Sequence, residues 1–300
     1  MNRVALLLVT VMLLAACGPK VLEPDAAFEC SNCERWNLPQ EPFRLYGNTW
    51  YVGTAGLSSI LIETAEGLIL IDGGLPQSAA QIDASVRQLG FDAMNISAIL
   101  LSHAHYDHAG GIAALQRLSG AVVYTSDAGR AVLESGELQS DDPQFGRTTS
   151  GSEVPVVRNV RSIGDREILS VGGVDVLAVH TPGHSPGGTS WSWESCALDT
   201  CYDIVYADSL NAVSADGYRF SAGPAANQLI ESAGALSDLD CDILLSPHPF
   251  FFGLQDKLER IDDGNPFVNN VACMIYAESA LDWLEQRLDS ERKGSGSLAQ

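Results

Sequence analysis

The sequence predicts a protein of the α/β (α+β) class, in which two mixed β-sheets pack together and helices cover both outer faces. Strand-like runs rich in β-branched and aromatic residues, punctuated by glycine, recur in both halves of the chain. Fewer segments have helical spacing, and these lie between or after the strands. Because each kind of segment must bury an apolar face, two packed sheets with helices outside would bury all of them. The length of 300 residues, of which 46% are hydrophobic, suffices for such a core.

The first half of the folded region begins near Trp36 and contains five predicted strands and two predicted helices. The strands occupy residues 48–54, 58–64, 68–74, 96–102 and 121–126. Helical spacing through Ile82, Val86 and Leu89 predicts a helix over 78–91, and a second helix over 111–120 ends at a glycine.

A polar stretch over 140–155 predicts a loop between this half and a second half of similar style. The second half contains a strand pair over 166–180, strands at 189–195, 203–208 and 241–248, and helices at 226–236 and 265–290. Residues 35–289 are therefore predicted to form a single domain built of two similar halves. Residues 290–300 are predicted to be a disordered tail.

The N-terminus is typical of an exported protein. Arg3 precedes an apolar run over 4–14, and small residues follow it, which predicts a secretory signal over residues 1–16. The run is too short to cross a bilayer comfortably. Its end, Leu14-Ala15-Ala16-Cys17, resembles the bacterial lipobox, in which the cysteine is lipidated and becomes the first mature residue. An ordinary cleaved signal, with Cys17 left over, is the alternative.

The N-terminal pattern predicts a location as well. Gly18 after the cysteine favours the outer membrane over the inner one, so the expected place is the periplasm, with a lipid anchor at Cys17 and a tether over 17–34. The net charge of −21 would repel phosphate backbones, so no nucleic acid partner is expected. We expect the chain to be a monomer.

The six cysteines other than Cys17 fall in three close pairs: Cys30 and Cys33, Cys196 and Cys201, and Cys241 and Cys273. An oxidising periplasm allows disulfides to persist, and six cysteines allow fifteen connectivities, of which three local bridges are the simplest. The segment Cys30-Ser-Asn-Cys33 could instead be a redox or zinc pair, although no second CxxC segment completes a zinc site.

The stretch SHAHYDHAGG, residues 102–111, holds three of the six histidines and an aspartate. On an extended segment His103 and His105 leave the same face, so both can reach one ion, and Asp107 and His108 follow directly. Four of the six histidines lie at or directly after the ends of apolar strands, where a rigid core can hold ligands accurately: His103, His105, His180 and His248.

Imidazole and carboxylate ligands without a thiolate suit zinc or a similar divalent ion. Six ligands are too many for one tetrahedral zinc, whereas two groups of three leave each ion an open position, as catalytic sites do. His180 is predicted to be a structural histidine. The alternative for the whole cluster is a set of histidines that only satisfy hydrogen bonds in the core.

Four strings resemble motifs of the metallo-β-lactamase superfamily, and closely those of the class B β-lactamases of the third subclass: SHAHYDHAGG, HTPGHSPGGTSWSW, YADSLNAVSADGYRF and LLSPHP. The resemblance runs from about Trp36 to about Leu288. It implies the metallo-β-lactamase fold, an αββα sandwich of two similar halves with the metals at one edge of the sheets.

The resemblance also implies roles for individual residues. Two Zn²⁺ per chain are expected, the first held by His103, His105 and His184, and the second by Asp107, His108 and His248. The segment 207–210 has no thiol, which agrees with the third subclass, where His108 takes the place of a cysteine ligand. Ser209 and Asn211 match positions that contact the substrate carboxylate in this family. The resemblance also implies a disulfide between Cys241 and Cys273, and one between Cys196 and Cys201 that only some members have.

Asp72 has two interpretations. It resembles a buried aspartate that supports the metal-binding loop, or it simply forms a turn before Gly73-Gly74.

The implied activity is hydrolysis of penicillins, cephalosporins and carbapenems, with antibiotic resistance as its result. Asp107 would be the catalytic residue that orients a hydroxide between the two zinc ions. An alternative is another hydrolase on the same scaffold, a lactonase or a glyoxalase-II-like thioesterase, because Asp208 lies near the point where such relatives bridge their metals with an aspartate. A second alternative is a non-catalytic, metal-stabilised binding lipoprotein.

Overall fold

A computed structural model describes residues 20–146, 154–261 and 264–294. The expected signal over 1–16 and the expected lipidation site Cys17 lie outside the described residues, as do residues 295–300 of the expected tail and 147–153 of the polar loop.

The described residues form strands and helices with the following bounds. The strands are β1 (Phe43–Tyr46), β2 (Thr49–Tyr51), β3 (Ile60–Thr64), β4 (Gly67–Ile71), β5 (Ile96–Leu100), β6 (Val122–Thr125), β7 (Val160–Ser162), β8 (Ile168–Val171), β9 (Val174–His180), β10 (Thr189–Ala197), β11 (Thr200–Tyr206) and β12 (Ile243–Leu245). The α-helices are α1 (Cys33–Trp36), α2 (Ser78–Gln88), α3 (Tyr106–Ala109), α4 (Ile112–Ser119), α5 (Asp127–Ser135), α6 (Ala225–Ser237), α7 (Leu254–Leu258) and α8 (Ala272–Arg292).

The strands form two mixed sheets. The first has seven strands in the order β1-β2-β3-β4-β5-β6-β7, with antiparallel pairs from β1 to β4 and parallel pairs from β4 to β7. The second has five strands in the order β12-β11-β10-β9-β8, of which only β11 and β12 pair in parallel. The helices lie outside, so the predicted sandwich of two mixed sheets with helices on the outer faces is confirmed.

Two apolar clusters hold the layers together. The larger joins the facing sides of both sheets to α6 and α8, and fully buried Trp191 lies in it. The indole Nε1 of Trp191 donates to the carbonyl of Leu101 across the two sheets at 3.2 Å, so this buried polar atom is satisfied. The smaller cluster packs α2 and α4 against the outer side of the first sheet, through residues such as Ile82 and Leu115.

The structure differs from the predicted elements in several places. The strands β1 and β7 were not predicted, because four and three residues are too few to display a period. The nine-residue helix α5 was not predicted either, although Ser126 caps its start and Gly136 follows its end. The terminal helix begins at Ala272, seven residues later than predicted, and ends at Arg292, within the expected tail. The preceding segment instead contacts β12: Val268 forms a bridge with Ile243, and the N–H of Asn269 donates to Asp242 at 2.7 Å.

The described part of the expected tether lies against the helices that cover the first sheet. The amide side chain of Gln77 exchanges two hydrogen bonds with the backbone of Phe28, at 3.0 and 2.9 Å, and the Phe28 ring stacks on Tyr106 with 4.1 Å between centroids. Arg117 donates to the Glu23 carbonyl at 2.9 Å. Residues 20–34 therefore hold a defined path beside α2, α3 and α4.

Three disulfides join the cysteines in the simplest of the possible connectivities: Cys30–Cys33, Cys196–Cys201 and Cys241–Cys273. The second links register partners on β10 and β11, and the third links the segment before β12 to the first turn of α8. Within the described ranges, we find no helix with the length and apolar character that crossing a bilayer requires.

Candidate metal centre

The predicted ligands come together because each follows the end of a strand. His103 and His105 follow β5, and Asp107 and His108 lie on the one-turn helix α3 directly after them. His184 lies between β9 and β10, and His248 follows β12. The two sheets thus bring ligands from distant parts of the chain to one edge of the sandwich.

The first group consists of His103, His105 and His184, which are buried and offer ligand atoms within 4.8 Å of one another. An acceptor fixes one nitrogen of each ring. His103 Nδ1 lies 2.7 Å from Asp208 Oδ1, and His184 Nδ1 donates to the carbonyl of Asn211 at 2.8 Å. His105 Nε2 lies 3.1 Å from both carboxylate oxygens of Asp142.

The opposite nitrogens of these rings are left for an ion. The Nε2 atom of His103 is buried and has no hydrogen-bond partner among the described residues, which is costly unless something binds it. The side-chain nitrogen of Gln144 lies 3.2 Å from both His105 Nδ1 and His184 Nε2, so these two atoms face the same point. A buried imidazole nitrogen with no partner, beside two that converge, fits a divalent cation such as zinc.

The second group consists of Asp107, His108 and His248, which are also buried and also within 4.8 Å. Asp107 Oδ2 lies 3.5 Å from His108 Nε2 and 3.6 Å from His248 Nε2. The far nitrogen of His248 lies 3.4 Å from the Gly56 carbonyl. The rings of His103 and His108 have centroids 4.4 Å apart, so the two groups are neighbours and could hold a pair of ions.

The protonation of these rings suits metal binding. Burial lowers the pKa of His103, His108, His184 and His248, so these rings keep a free lone pair at neutral pH. His105 differs: burial lowers its pKa, but the carboxylates of Asp142, Asp107 and Asp208 together raise it above its ordinary value. Burial also raises the pKa of Asp142, yet the interactions with His105, the Gln144 N–H and His184 together outweigh it and lower the value to about 2, which keeps this carboxylate ionised.

Asp72 has both of the roles considered for it. Its φ of 59° is left-handed, as in a tight turn, and its fully buried carboxylate accepts hydrogen bonds from the backbone N–H and hydroxyl of Ser102 at 2.8 and 2.6 Å and from Tyr206 at 2.8 Å. Burial raises the pKa of Asp72 to about 7, although these hydrogen bonds lower it. Asp72 thereby anchors the residue directly before His103.

His180 lies outside both groups, where its Nε2 is 3.1 Å from the Ile163 carbonyl. Asp208 lies behind the first group, because its contact is with the His103 nitrogen that faces away from the free Nε2. Ser209 and Asn211 are buried beside it, and the Ser209 hydroxyl has no hydrogen-bond partner among the described residues.

A groove of about 1080 Å³ borders the second group at His248. Its lining includes His248 and Asn211, with apolar walls from Trp36, Phe250 and Trp283. The Trp36 ring lies 5.2 Å from the His248 ring, measured between centroids. A groove of this size, with a few polar groups among apolar walls, is typical of a small-molecule site.

Asp142 and Gln144, which contact the first group from the loop after α5, were not predicted from the sequence. They lie in the polar stretch over 140–155, where nothing in the residue pattern distinguishes them from neighbouring polar residues.

Comparison with known proteins agrees with this site. The sequence model of the metallo-beta-lactamase superfamily matches residues 53–248, a span that contains every residue of both groups. The chain belongs to the metallo-beta-lactamase superfamily.

Within this superfamily, the similar solved structures are metallo-beta-lactamases of subclass B3. The Rm3 metallo-beta-lactamase is 45% identical, with a TM-score of 0.85 over 88% of this chain and 99% of that one. MEM-A1, a subclass B3 metallo-beta-lactamase from a soil metagenome library, is 43% identical, with a TM-score of 0.83 over 86% and 99%.

Curated relatives are more distant. The lactamase-like protein nscB of Neosartorya fischeri is 29% identical over 84% of this chain, and the atrochrysone carboxyl ACP thioesterase of Aspergillus fumigatus is 30% identical over 55%. The chain spans 63% of the length of the first and 30% of the second.

Proposed function

We propose that the chain is a zinc-dependent β-lactamase that hydrolyses penicillins, cephalosporins and carbapenems and so confers antibiotic resistance. One observation carries the proposal: two groups of three buried ligands lie side by side, and one of these ligands, His248, lines a groove of substrate size. The subclass B3 β-lactamases that resemble the chain over nearly their whole length support it.

Two zinc ions would be held by His103, His105 and His184 and by Asp107, His108 and His248. Bound zinc supplies Lewis acidity, which activates water near neutral pH and polarises a carbonyl. The carboxylate of Asp107 lies beside both His108 and His248, where it can accept a hydrogen bond from the attacking water and aim it.

The remaining steps concern the substrate. The water oxygen bonds to the β-lactam carbonyl carbon, the ring C–N bond breaks, and a water proton passes to the amine nitrogen. Ser209, whose hydroxyl has no partner among the described residues, and Asn211 would bind the substrate carboxylate. Trp36, Phe250 and Trp283 would pack on the ring substituents and exclude water.

The alternative within the superfamily is a thioesterase or lactonase, and a curated relative bears a thioesterase name. The position of Asp208 favours the β-lactamase, because this carboxylate contacts the outward nitrogen of His103 and does not lie between the two groups. An aspartate that bridged two metals would have to reach both.

The test is an assay of the purified protein with nitrocefin and imipenem, with and without dipicolinate and added zinc. We expect turnover of both substrates, its loss with the chelator and its return with zinc. An acyl-homoserine lactone and a thioester serve as competing substrates in the same assay. Turnover of either without turnover of a β-lactam would overturn the proposal, as would nitrocefin turnover that persists after zinc is removed.

We also propose that the protein is exported to the periplasm and anchored to the outer membrane through Cys17. The three disulfides support an oxidising compartment. Expression in a bacterial host with labelled palmitate should label the wild type and leave Cys17→Ser unlabelled. Equal labelling of the two would contradict the lipid anchor.

A further inference from the structure

A buried aspartate outside both ligand groups joins three segments around the first group. Asp142 lies in the loop after α5, only 3% exposed. Both of its carboxylate oxygens lie 3.1 Å from His105 Nε2, and one of them accepts from the Ser185 hydroxyl at 3.0 Å. The other accepts from the backbone N–H of Gln144 at 2.8 Å.

The contact with His105 selects the tautomer and the orientation of that ring. A carboxylate with both oxygens 3.1 Å from Nε2 holds the ring proton there, so the lone pair of a neutral His105 is on Nδ1. His105 Nδ1 is the nitrogen that, with His184 Nε2, faces the Gln144 side chain. A ring turned the other way would present a proton to the ion.

The other contacts extend this order to the second half of the chain. Ser185 directly follows His184, so the hydrogen bond from its hydroxyl ties that loop to the same carboxylate. Pro143, which directly follows Asp142, accepts a hydrogen bond at its carbonyl from the N–H of Ala215 at 2.8 Å. This bond joins the Asp142 loop to the segment after β11. Ser209 and Asn211 lie in that segment.

We propose that Asp142 is a positioning residue that presets His105 for the first metal and holds the His184 loop in register with it. The proposal rests on the proposed function only in that it takes the first group to bind zinc. It predicts an effect on metal affinity that is separable from β-lactam turnover, because Asp142 contacts the ligand His105 and the loop that carries His184, and belongs to neither ligand group.

The experiment measures the zinc affinity of the first site by competition with a chromophoric chelator at pH 8.5. The variants are Asp142→Asn and Asp142→Ala, with Asp141→Asn as the matched control, because Asp141 is the exposed neighbour and carries the same charge. Ser185→Ala removes the hydroxyl contact alone. Thermal unfolding of each metal-free variant shows which of them fold.

We expect zinc affinity to fall about 10- to 100-fold in Asp142→Ala, the range typical of lost outer partners of metal-bound histidines. Asp142→Asn should lie between this variant and the wild type, Ser185→Ala should fall by less, and Asp141→Asn should match the wild type. Excess zinc should restore much of the nitrocefin kcat/KM of Asp142→Ala, as a positioning role requires.

Wild-type zinc affinity in a folded Asp142→Ala variant would overturn the proposal. So would an equal loss in Asp141→Asn, since the effect would then be one of net charge. If Asp142→Ala does not fold, Asp142→Asn and Ser185→Ala carry the test. A protein that turns over no β-lactam, yet loses zinc affinity in these variants, would reject the proposed function and leave this inference intact.

Discussion

At the scale of single residues, the metal-facing rings are held from behind. His103, His105, His184 and His248 each place one ring nitrogen beside a carboxylate or a backbone carbonyl, at 2.7 to 3.4 Å. Such partners fix the tautomer and make the free nitrogen a stronger ligand. The rings are therefore ordered before any ion arrives, which lowers the entropy cost of binding.

Asp208 tests this arrangement at His103. Replacement by Ala leaves His103 Nδ1 without its acceptor, so zinc affinity at the first site should fall about 10- to 100-fold while the second site changes little. Chelator competition on the metal-free protein measures both sites, and Asp216→Ala, at an exposed aspartate of the following loop, is the control. Equal weakening of both sites would instead indicate a carboxylate shared between the metals.

Lys257 gives a prediction about pH and stability. Burial, with a smaller effect of Arg260, lowers the pKa of Lys257 from 10.5 to about 8 in the folded chain. The unfolded chain holds this proton between about pH 8 and 10.5 and the folded chain does not, so the wild type gains stability from this group as pH rises through that window. Below pH 8 the folded chain carries the full cost of the half-buried charge.

Lys257→Met should therefore raise the melting temperature at pH 7, by about 1 to 3 °C, and the gain should shrink as the pH approaches 10.5. Calorimetric scans across this pH range measure it. Lys20→Met, at an exposed lysine before the first helix, should show no such trend. A gain that is constant with pH would contradict the role of the charge.

At the scale of elements, α8 holds the segment that follows β11. The hydroxyl of Tyr276 accepts from the N–H of Leu210 at 3.1 Å and donates to the Asp208 carbonyl at 2.9 Å. Further along the helix, Arg287 pairs with Glu291 at 3.0 Å and donates to the Tyr218 carbonyl at 3.0 Å. The segment that carries Ser209 is thus fixed by a helix at its back.

The disulfides are expected to stabilise the fold by different amounts. Cys241–Cys273 spans 32 residues and joins α8 to the segment before β12, whereas Cys196–Cys201 spans only 5. In the chain-entropy view, the first should stabilise the fold by roughly 3.5 kcal/mol and the second by roughly 2 kcal/mol.

Urea unfolding of the two paired Cys→Ser variants measures this difference. The Cys241→Ser/Cys273→Ser variant should lose more free energy of unfolding than the Cys196→Ser/Cys201→Ser variant. Only the Cys241→Ser/Cys273→Ser variant should also raise the KM for nitrocefin, because α8 supports the segment that carries Ser209. The reverse order of stabilities would show that strain or local packing outweighs loop closure.

At the scale of the whole molecule, the metal centre joins both halves of the chain. Each group combines ligands before residue 110 with one after residue 180, so a bound ion links segments that the unfolded chain holds far apart. An ion that binds the folded chain and not the unfolded one stabilises the folded chain by mass action.

Removal of zinc should therefore lower the melting temperature of the intact protein. If free zinc exceeds its dissociation constant about 100-fold, the loss is about 2.7 kcal/mol, which corresponds to roughly 5 to 10 °C. Calorimetry with and without dipicolinate measures it. The His103→Ala/His108→Ala variant, which lacks a ligand in each group, is the control, and its melting temperature should change little with the chelator. A wild-type melting temperature that also stays unchanged would contradict the predicted stabilisation by zinc.

Many of the strands and helices, and the presence of a metal site, could be predicted from the local pattern of residues. Apolar strand runs and the helical spacing over 78–91 predicted elements that the structure has, and the spacing of His103 and His105 indicated a metal site. β1 and β7 were missed because strands of four and three residues are too short to show a period. The nine-residue helix α5 was overlooked although Ser126 before it and Gly136 after it are typical helix ends. The terminal helix began late because Val268 pairs with β12, a contact that no local pattern reveals.

The sequence by itself determined the type of fold and the candidate ligands, through apolar strand runs, the spacing of the first histidines and the resemblance to a known family, whereas it left the pairing of the six cysteines open. Only the tertiary structure decided which nitrogen of each histidine is free, where Asp208 lies and that Asp142 supports His105. Those facts depend on distances between residues 37 to 105 positions apart, which packing sets and local sequence does not encode.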